Sequence, residues 1–399
     1  MQRRVLITGL GTISSIGMNI EETLDSLLNK RSGIKKSKNL QSVHKDDFVF
    51  GEIPLTLSEL KDMLNIPQHE AYSRTSLLAM LAAKEAVDNA GISDINKYRT
   101  GLLSASTVGG MDRSELYYSD FLTNDTQNKY IDSHHCGDHT EKVADLLGIK
   151  DFTSTISTAC SSSINTIMFG ARLIKLGILD RVIAGGVDSL SKFTLNGFNT
   201  LMILDREHCR PFDETRSGLN LGEGAGYVVL EADDIIEKEG KTAICELKGY
   251  ANANDAFHQT ASSPTGEGAF LAMTKALKLS GLNKDDISYI NVHGTGTGNN
   301  DLSEGIAMKR VFGENIPPFS STKGYTGHTL GAAGSIETIF GALAIKHNTI
   351  FPNLNFVNTI EEIGIRPETD IITNREIKNV LSNSFGFGGN NSTLIISKI

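Results

Sequence analysis

Four short segments carry side chains that could do chemistry. Cys160 lies in Ser157-Thr-Ala-Cys160-Ser-Ser-Ser163, and His293 in Val292-His-Gly-Thr-Gly-Thr-Gly298. Lys323 and His328 share Ser321-Thr-Lys323-Gly-Tyr-Thr-Gly-His328-Thr-Leu-Gly-Ala-Ala-Gly334, and Phe387 sits in Asn383-Ser-Phe-Gly-Phe387-Gly-Gly389. Each has a plain alternative. A cysteine is often a small buried hydrophobe, a histidine at a strand end is often structural, and a lone lysine is usually solvated. Together they supply a nucleophile, two imidazoles, an ammonium and a glycine loop whose N–H groups can point at one spot. That inventory fits acyl transfer through a thioester.

These residues need elements to position them. Phe152–Ile156 is short and partly β-branched, which predicts a strand, and Ile164, Ile167, Met168, Ala171 and Ile174 recur at helical spacing. Cys160 is therefore expected where a strand hands over to a buried helix. The helix dipole and free N–H groups there favour a thiolate, so a depressed pKa and preferential alkylation over Cys136, Cys209 and Cys245 are expected. Further strands are expected at 5–11, 100–106, 181–186, 227–230, 243–250, 287–293 and 392–397, and helices at 19–28, 73–89, 140–147 (Asp138 as its cap), 269–279 and 330–345. Residues 32–67 read as polar, irregular surface. Strands alternating with helices argue for an α/β fold. The pattern restarts near Lys241, and Lys323 and His328 stand to their strand and helix as Cys160 does to its own. This hints at two similar halves, 1–240 with the cysteine and 241–399 with the His/Lys/His residues.

Several patterns point nowhere further. Gly9-x-Gly11 is half a dinucleotide fingerprint, without its third glycine or an acidic residue about 20 positions on. An NAD-binding oxidoreductase is thus the weaker alternative. His134-His135-Cys136-x-Asp138-His139 lacks zinc spacing. Gly222-Glu-Gly-Ala-Gly226 has no Lys-Ser/Thr after it, which favours packing over phosphate binding. The 399 residues include 39 Gly, no Trp and four scattered Cys, with a net charge of −9. That charge argues against general nucleic-acid binding, so an acidic partner must use a local basic patch. No apolar run reaches the ~18 residues of a membrane span. The start runs straight into a strand, so no signal peptide is expected, and scattered thiols suit a reducing cytoplasm.

The motifs T-A-C-S-S, H-G-T-G-T, S-T-K-x-x-x-G-H and G-F-G-G, in this order, resemble the elongating β-ketoacyl-acyl-carrier-protein synthases of the thiolase superfamily, and the similarity spans nearly the whole chain. The resemblance implies a five-layered αβαβα fold of two similar halves and a homodimer, with a heterodimer containing a ketosynthase-like subunit as the other possibility. It implies decarboxylative condensation of an acyl chain on Cys160 with malonyl-acyl carrier protein, giving CO2 and a β-ketoacyl-carrier. By resemblance, His293 and His328 bond the malonyl thioester carbonyl, and Lys323 stands beside His328 and sets the local electrostatics. The N–H groups of Cys160 and Phe387 form an oxyanion hole, with Phe387 as a gate. Val108 and Phe385 line the acyl and substrate site, Thr295 and Thr297 hold the pantetheine arm, and His258 lies on a mobile loop, 255–266. No metal or redox cofactor is required. A structural monovalent cation is sometimes present, and Asn291, Glu337, Ser382 and Asn383 match its place. The carrier should be acidic and dock near Arg206 and Lys129.

Initiating synthases have Asn where His328 stands, and degradative thiolases add a second cysteine near the C-terminal glycine loop. Two departures separate this chain from the primary fatty-acid members. Asn65–His69 is almost uncharged where they carry several Lys/Arg, and Gly298 replaces their Pro. A polyketide or polyene pathway is the alternative these suggest. A non-catalytic chain-length-factor-like partner is the alternative of a different class.

Overall fold

In the computed structural model, which describes residues 3–373 and 375–399, β-branched and aliphatic runs form ten strands. They are β1 (Val5–Ser14), β2 (Thr100–Ala105), β3 (Phe152–Ile156), β4 (Arg181–Asp188), β5 (Gly224–Ala232), β6 (Cys245–Asn254), β7 (Tyr289–Asn291), β8 (Phe319–Ser320), β9 (Asn379–Gly386) and β10 (Asn390–Ser397). Their order is β3-β2-β4-β5-β1-β6-β10-β9-β7-β8. Read outward from the β1–β6 seam, β1, β5, β4, β2, β3 correspond to β6, β10, β9, β7, β8. The repeat suggested by the sequence is therefore a repeat of topology. The seam itself is short, pairing only Leu6 with Glu246 and Ile7 with Cys245.

Three helix layers alternate with the two halves of the sheet, which makes five layers of backbone. One outer layer packs the Arg74–Asn89 helix on Ile183, Tyr227 and Val229. The other packs the Glu267–Ser280 and Gly298–Phe312 helices on Ile290, Leu381 and Ile395. The central layer buries the Ser162–Lys175 and Ala333–His347 helices, with Ile164, Ile167, Ile336 and Phe340 fully enclosed. A helix apolar on all sides belongs in such a place. The two central helices meet at their N-terminal ends, where Ser335 N–H donates to Ser163 Oγ at 2.9 Å. A Cβ on Gly334 would lie 2.5 Å from Ile164, so the small residues there are what allow the crossing.

Local differences from the sequence reading have identifiable causes. The 32–67 stretch contains a helix, Leu57–Met63, started by a Thr56/Glu59 capping box. Asp138 does not cap its helix. It lies in the first turn of Asp138–Leu147, and its carboxylate accepts from Ser76 and Lys142 instead. Residues 287–293 form only a three-residue strand, because His293 and Gly294 leave the ladder to donate to Glu304. A Cβ on Gly9 or Gly11 would stand 2.2 or 2.1 Å from the carbonyls of Ala86 and Ala82, so these glycines serve helix packing. Gly222 likewise presses on the Thr326 carbonyl, at 2.2 Å for its missing Cβ. The 134–139 histidines diverge. His139 Nε2 pairs with Ser104 Oγ, His134 Nδ1 with Ser114 Oγ, and His135 Nδ1 accepts its own loop's Gly137 N–H.

Candidate active site

Cys160, His293, His328 and Phe387 follow β3, β7, β8 and β9, so chemistry collects beyond the carboxyl ends of strands. Before Cys160 the chain turns sharply. Ala159 has φ +52°, a left-handed conformation that costs a non-glycine residue energy and is held by its surroundings. The Gly386 backbone presses on this turn, and a Cβ there would meet the Thr158 carbonyl at 2.9 Å. Ser384 Oγ donates to the Cys160 carbonyl at 2.8 Å, tying β9 to the nucleophile. The N–H groups of Phe387 and Cys160 both reach the Cys160 sulfur, so two donors converge on one point from opposite halves of the chain.

His328 Nε2 lies 3.1 Å from Cys160 Sγ. The His293 and His328 rings sit edge to face, 5.3 Å between centroids. Lys323 is not placed as expected: its ammonium bonds His293, not His328. Nζ lies 3.3 Å from His293 Nδ1, 2.6 Å from the His293 carbonyl and 2.5 Å from Glu337 Oε1. An ammonium facing Nδ1 makes that nitrogen the acceptor, which leaves the proton on Nε2. His293 is thereby fixed as an Nε2–H donor. Both imidazoles are pushed well below the ordinary histidine range, by burial first and by the Lys323 charge second. They are neutral donors at neutral pH.

The depressed Cys160 pKa is the expectation the structure overturns. Burial pushes the thiol up to about 12, although Lys323 and the two N–H groups pull the other way. The helix begins only at Ser162, and the sulfur sits in an enclosed apolar site where desolvation outweighs the dipole. The thiol is therefore protonated at rest, with His328 Nε2 the imidazole beside it.

Sequence reasoning passed over the residues that hold the His293 loop. Glu304 accepts from the His293 and Gly294 N–H groups at 2.9 and 2.8 Å and from Asn383 Nδ2 at 3.0 Å. Asp301 accepts from Thr295 and Gly296. Both acids lie one turn apart on the Gly298–Phe312 helix, and Asp301-x-x-Glu304 spacing directly after the glycine loop was the available signal. Asp188 does the same on the other side. It accepts from the Thr107 and Gly331 N–H groups at 2.9 and 2.7 Å, and so ties the Val108 loop to the segment after His328.

Two cavities meet at the cysteine. One, of about 140 Å³, is lined by Cys160, both imidazoles, Thr295, Thr297, Phe385 and the 258–262 loop. His258 and Phe385 are both in its wall, and the Thr295 and Thr297 hydroxyls lie 2.9 Å apart. The second, of about 360 Å³, is almost wholly apolar, with Val108, Phe193, Leu201 and Leu330 in its wall. Phe387 and Phe198 line both cavities and stack on each other at 5.8 Å.

The monovalent-cation residues divide. Asn291 Oδ1, Ser382 Oγ and Glu337 Oε2 are buried oxygens without a hydrogen-bond partner among the described residues, a donor set that fits a hard cation. Asn383 does not fit through its side chain, which is spent on Glu304 and Thr393. The Cys160, His293 and His328 donor atoms also fall within 4.8 Å of one another.

Comparison with known proteins agrees with this arrangement. Residues 2–234 match the family model described as Beta-ketoacyl synthase, N-terminal domain, and residues 244–357 match Beta-ketoacyl synthase, C-terminal domain. The 3-oxoacyl-[acyl-carrier-protein] synthase 2 of Staphylococcus aureus (strain N315) is 33% identical over 413 aligned positions, covering 99% of this chain and 98% of that protein. The Coxiella burnetii (strain RSA 493 / Nine Mile phase I) protein of the same name is 32% identical, covering 100% and 99%. Among solved structures, the ishigamide ketosynthase/chain length factor superposes with a TM-score of 0.92 at 28% identity, covering 100% of both chains. The ketosynthase (ApeO) in complex with its chain length factor (ApeC) from Xenorhabdus doucetiae gives 0.87 at 30%, covering 100% and 98%. With the thiolase-type fold and a cysteine set against two neutral imidazoles, the chain belongs to the beta-ketoacyl synthase family and is an acyltransferase.

Proposed function

We propose that this protein elongates an acyl chain held on Cys160 by decarboxylative Claisen condensation with a malonyl group on an acyl carrier protein. The observation that carries this is the convergence of two separate donor pairs. The N–H groups of Cys160 and Phe387 converge on the Cys160 sulfur, and the His293 and His328 rings meet 5.3 Å apart in the same cavity, so each pair can serve a different substrate oxygen.

In the first half-reaction Cys160 Sγ attacks the acyl thioester carbonyl, and the His328 Nε2–H beside it steadies the developing thiolate. The Cys160 and Phe387 N–H groups hold the oxyanion. The bond to the pantetheine sulfur breaks, and that sulfur takes up the proton that Cys160 gave up. In the second, malonyl binds with its thioester oxygen at His293 and His328. The bond to the carboxylate breaks, CO2 leaves, and the electron pair becomes an enolate whose oxygen the two imidazole N–H groups stabilise. Such donors in a site without water are worth more than water. The enolate carbon attacks the acyl carbonyl, the carbon–sulfur bond breaks, and Cys160 leaves as a thiolate that takes one proton from solvent water. No step calls for a cofactor beyond the phosphopantetheine of the carrier.

The apolar cavity beside Val108 and Leu330 suits the acyl tail, and the cavity at Thr295 and Thr297 suits the pantetheine arm. Phe387 stands at their junction as a gate. A monovalent cation held by Asn291, Ser382 and Glu337 would be structural and would neutralise the second Glu337 oxygen. We take 1–240 and 241–399 as the two halves, since the topology repeats across the β1–β6 seam. We further infer a dimer, with a second copy or a ketosynthase-like subunit. Among the described residues β3 has a ladder on one side only, and an open edge invites a partner strand. Among the described residues no helix is long and apolar enough to cross a membrane. On the four free thiols we place the protein in the cytoplasm.

The test is product mass spectrometry with malonyl-carrier and acyl-carrier primers of graded length. The expected products are two carbons longer than the primer and carry a 3-oxo group. Unextended primers at every length would contradict this reading and favour a non-catalytic subunit.

A further inference from the structure

Segment 35–48 is the basic exception on a chain of net charge −9. It carries four lysines (Lys35, Lys36, Lys38 and Lys45) against Asp46 and Asp47. All four lysines are exposed. A buried carboxylate holds the loop in one shape. Glu52 accepts from the N–H groups of Lys38, Asn39 and Leu40 at 2.7, 3.1 and 3.1 Å, and from Ser37 Oγ at 2.5 Å. Leu40, Phe48 and Phe50 then anchor it in an apolar cluster with Leu219, against Phe198 and Ile203. Phe198, Ile203 and Leu219 are themselves walls of the Cys160 cavity. The lysine loop is therefore fastened to the outside of the substrate channel.

Two further cations belong to the same surface. The Arg206 guanidinium lies 5.6 Å over the Phe48 ring, and it and Lys36 pull Asp47 below the usual carboxylate range, after the His44 hydrogen bond that is the main cause. Lys192 begins the helix whose Phe193 and Phe198 line the acyl cavity, and with Lys38 and Lys45 it lines one surface groove. Val43, 90% exposed, lines the same groove and adds an apolar contact beside the lysines. Lys36 is spent on the Asp46 and Phe48 carbonyls, which leaves Lys38 and Lys45 as this loop's lysines in the groove, and the lysines near the uncharged 65–69 run are likewise occupied by backbone. Lys61 donates to the Gln68 and Glu70 carbonyls, and Lys129 to the His69 carbonyl.

We infer that the acidic carrier protein docks on this loop, with Lys38 and Lys45 as its main electrostatic contacts beside Arg206. The inference rests on the carrier-dependent reading above. Charge complementarity acts at the rim of the channel, so it sets the encounter rate and is weakened by salt.

The experiment compares malonyl-carrier with malonyl-pantetheine, which reaches the same cavity without a protein to dock. Reversing both charges, Lys38→Glu with Lys45→Glu, is expected to raise KM for malonyl-carrier by about tenfold or more, with kcat preserved. Malonyl-pantetheine turnover should not change, and the salt dependence of kcat/KM for the carrier substrate should flatten. The neutral pair Lys38→Gln with Lys45→Gln should fall between. Lys275→Glu, on the exposed side of an outer helix, is the control and should leave both substrates unaffected. Carrier KM within twofold of the wild type in the reversed pair, or an equal loss with malonyl-pantetheine, overturns the docking surface. Failure of the unaltered protein to turn over either malonyl thioester would instead overturn the condensation reading.

Discussion

Cys160→Ala is expected to abolish condensation and to keep releasing CO2 from malonyl-carrier, with acetyl-carrier as the product. The two outcomes separate because the two half-reactions use different atoms. Acyl transfer needs the sulfur, and no other thiol replaces it: among the described residues Cys160 is the cysteine that bonds an imidazole, and burial holds the Cys209 thiol up at about 12. Decarboxylation needs malonyl in place and two N–H donors at its carbonyl. His293 keeps its Lys323 contact in the variant, and His328 keeps its backbone hydrogen bond to the Asn220 carbonyl at 2.7 Å. The variant also keeps the backbone N–H at position 160. CO2 release and 3-oxo product are measured separately, and loss of both with malonyl binding intact would show that the thiol takes part in decarboxylation.

The second large effect is the mirror of the first. His293→Ala or His328→Ala should cut CO2 release by roughly 10²–10³, the usual consequence of losing one preorganised oxyanion donor. Some acylation of Cys160 should survive in His293→Ala, since that step uses the Cys160 and Phe387 N–H groups. His328→Ala should lose more acylation than His293→Ala, because the thiol is protonated at rest and His328 Nε2 is the imidazole 3.1 Å from it. The double variant should fall short of the product of the two losses, as both imidazoles serve one oxygen. Initial rates of labelled CO2 release and the fraction of acylated enzyme decide it. Full decarboxylation in either single variant would remove that imidazole from the enolate site.

Much of the site was legible because its residues lie in loops at strand ends, where glycines and small hydroxyl residues leave little freedom. Cys160, His293, His328, Phe387, Thr295 and Thr297 all converge as those motifs implied. What sequence could not give was the balance of opposing environmental effects. A helix start beside Cys160 argues for a thiolate, and only the three-dimensional enclosure shows that burial wins. That Lys323 acts on both imidazoles but bonds His293 was out of reach, because it depends on how β7 and β8 sit side by side, through pairs such as Ile290 with Phe319. Glu337 carried a usable signal, being the lone acid in an apolar helix, and so did the capping box at Thr56, which lay hidden in a polar stretch. The Asn383 side chain points to Glu304 and Thr393 rather than to Asn291, a consequence of which face of β9 it occupies.

Acylation of Cys160 itself is the most direct mark of a catalytic subunit. The unaltered protein is incubated with acyl-carrier and no malonyl donor, then digested and mapped by mass spectrometry. One acyl group per chain on the peptide containing Cys160 is expected, with Cys136, Cys209 and Cys245 unmodified, and its discharge on adding malonyl-carrier. An unmodified Cys160, with acyl-carrier shown to bind, would contradict the catalytic reading and leave a subunit that only shapes a pocket.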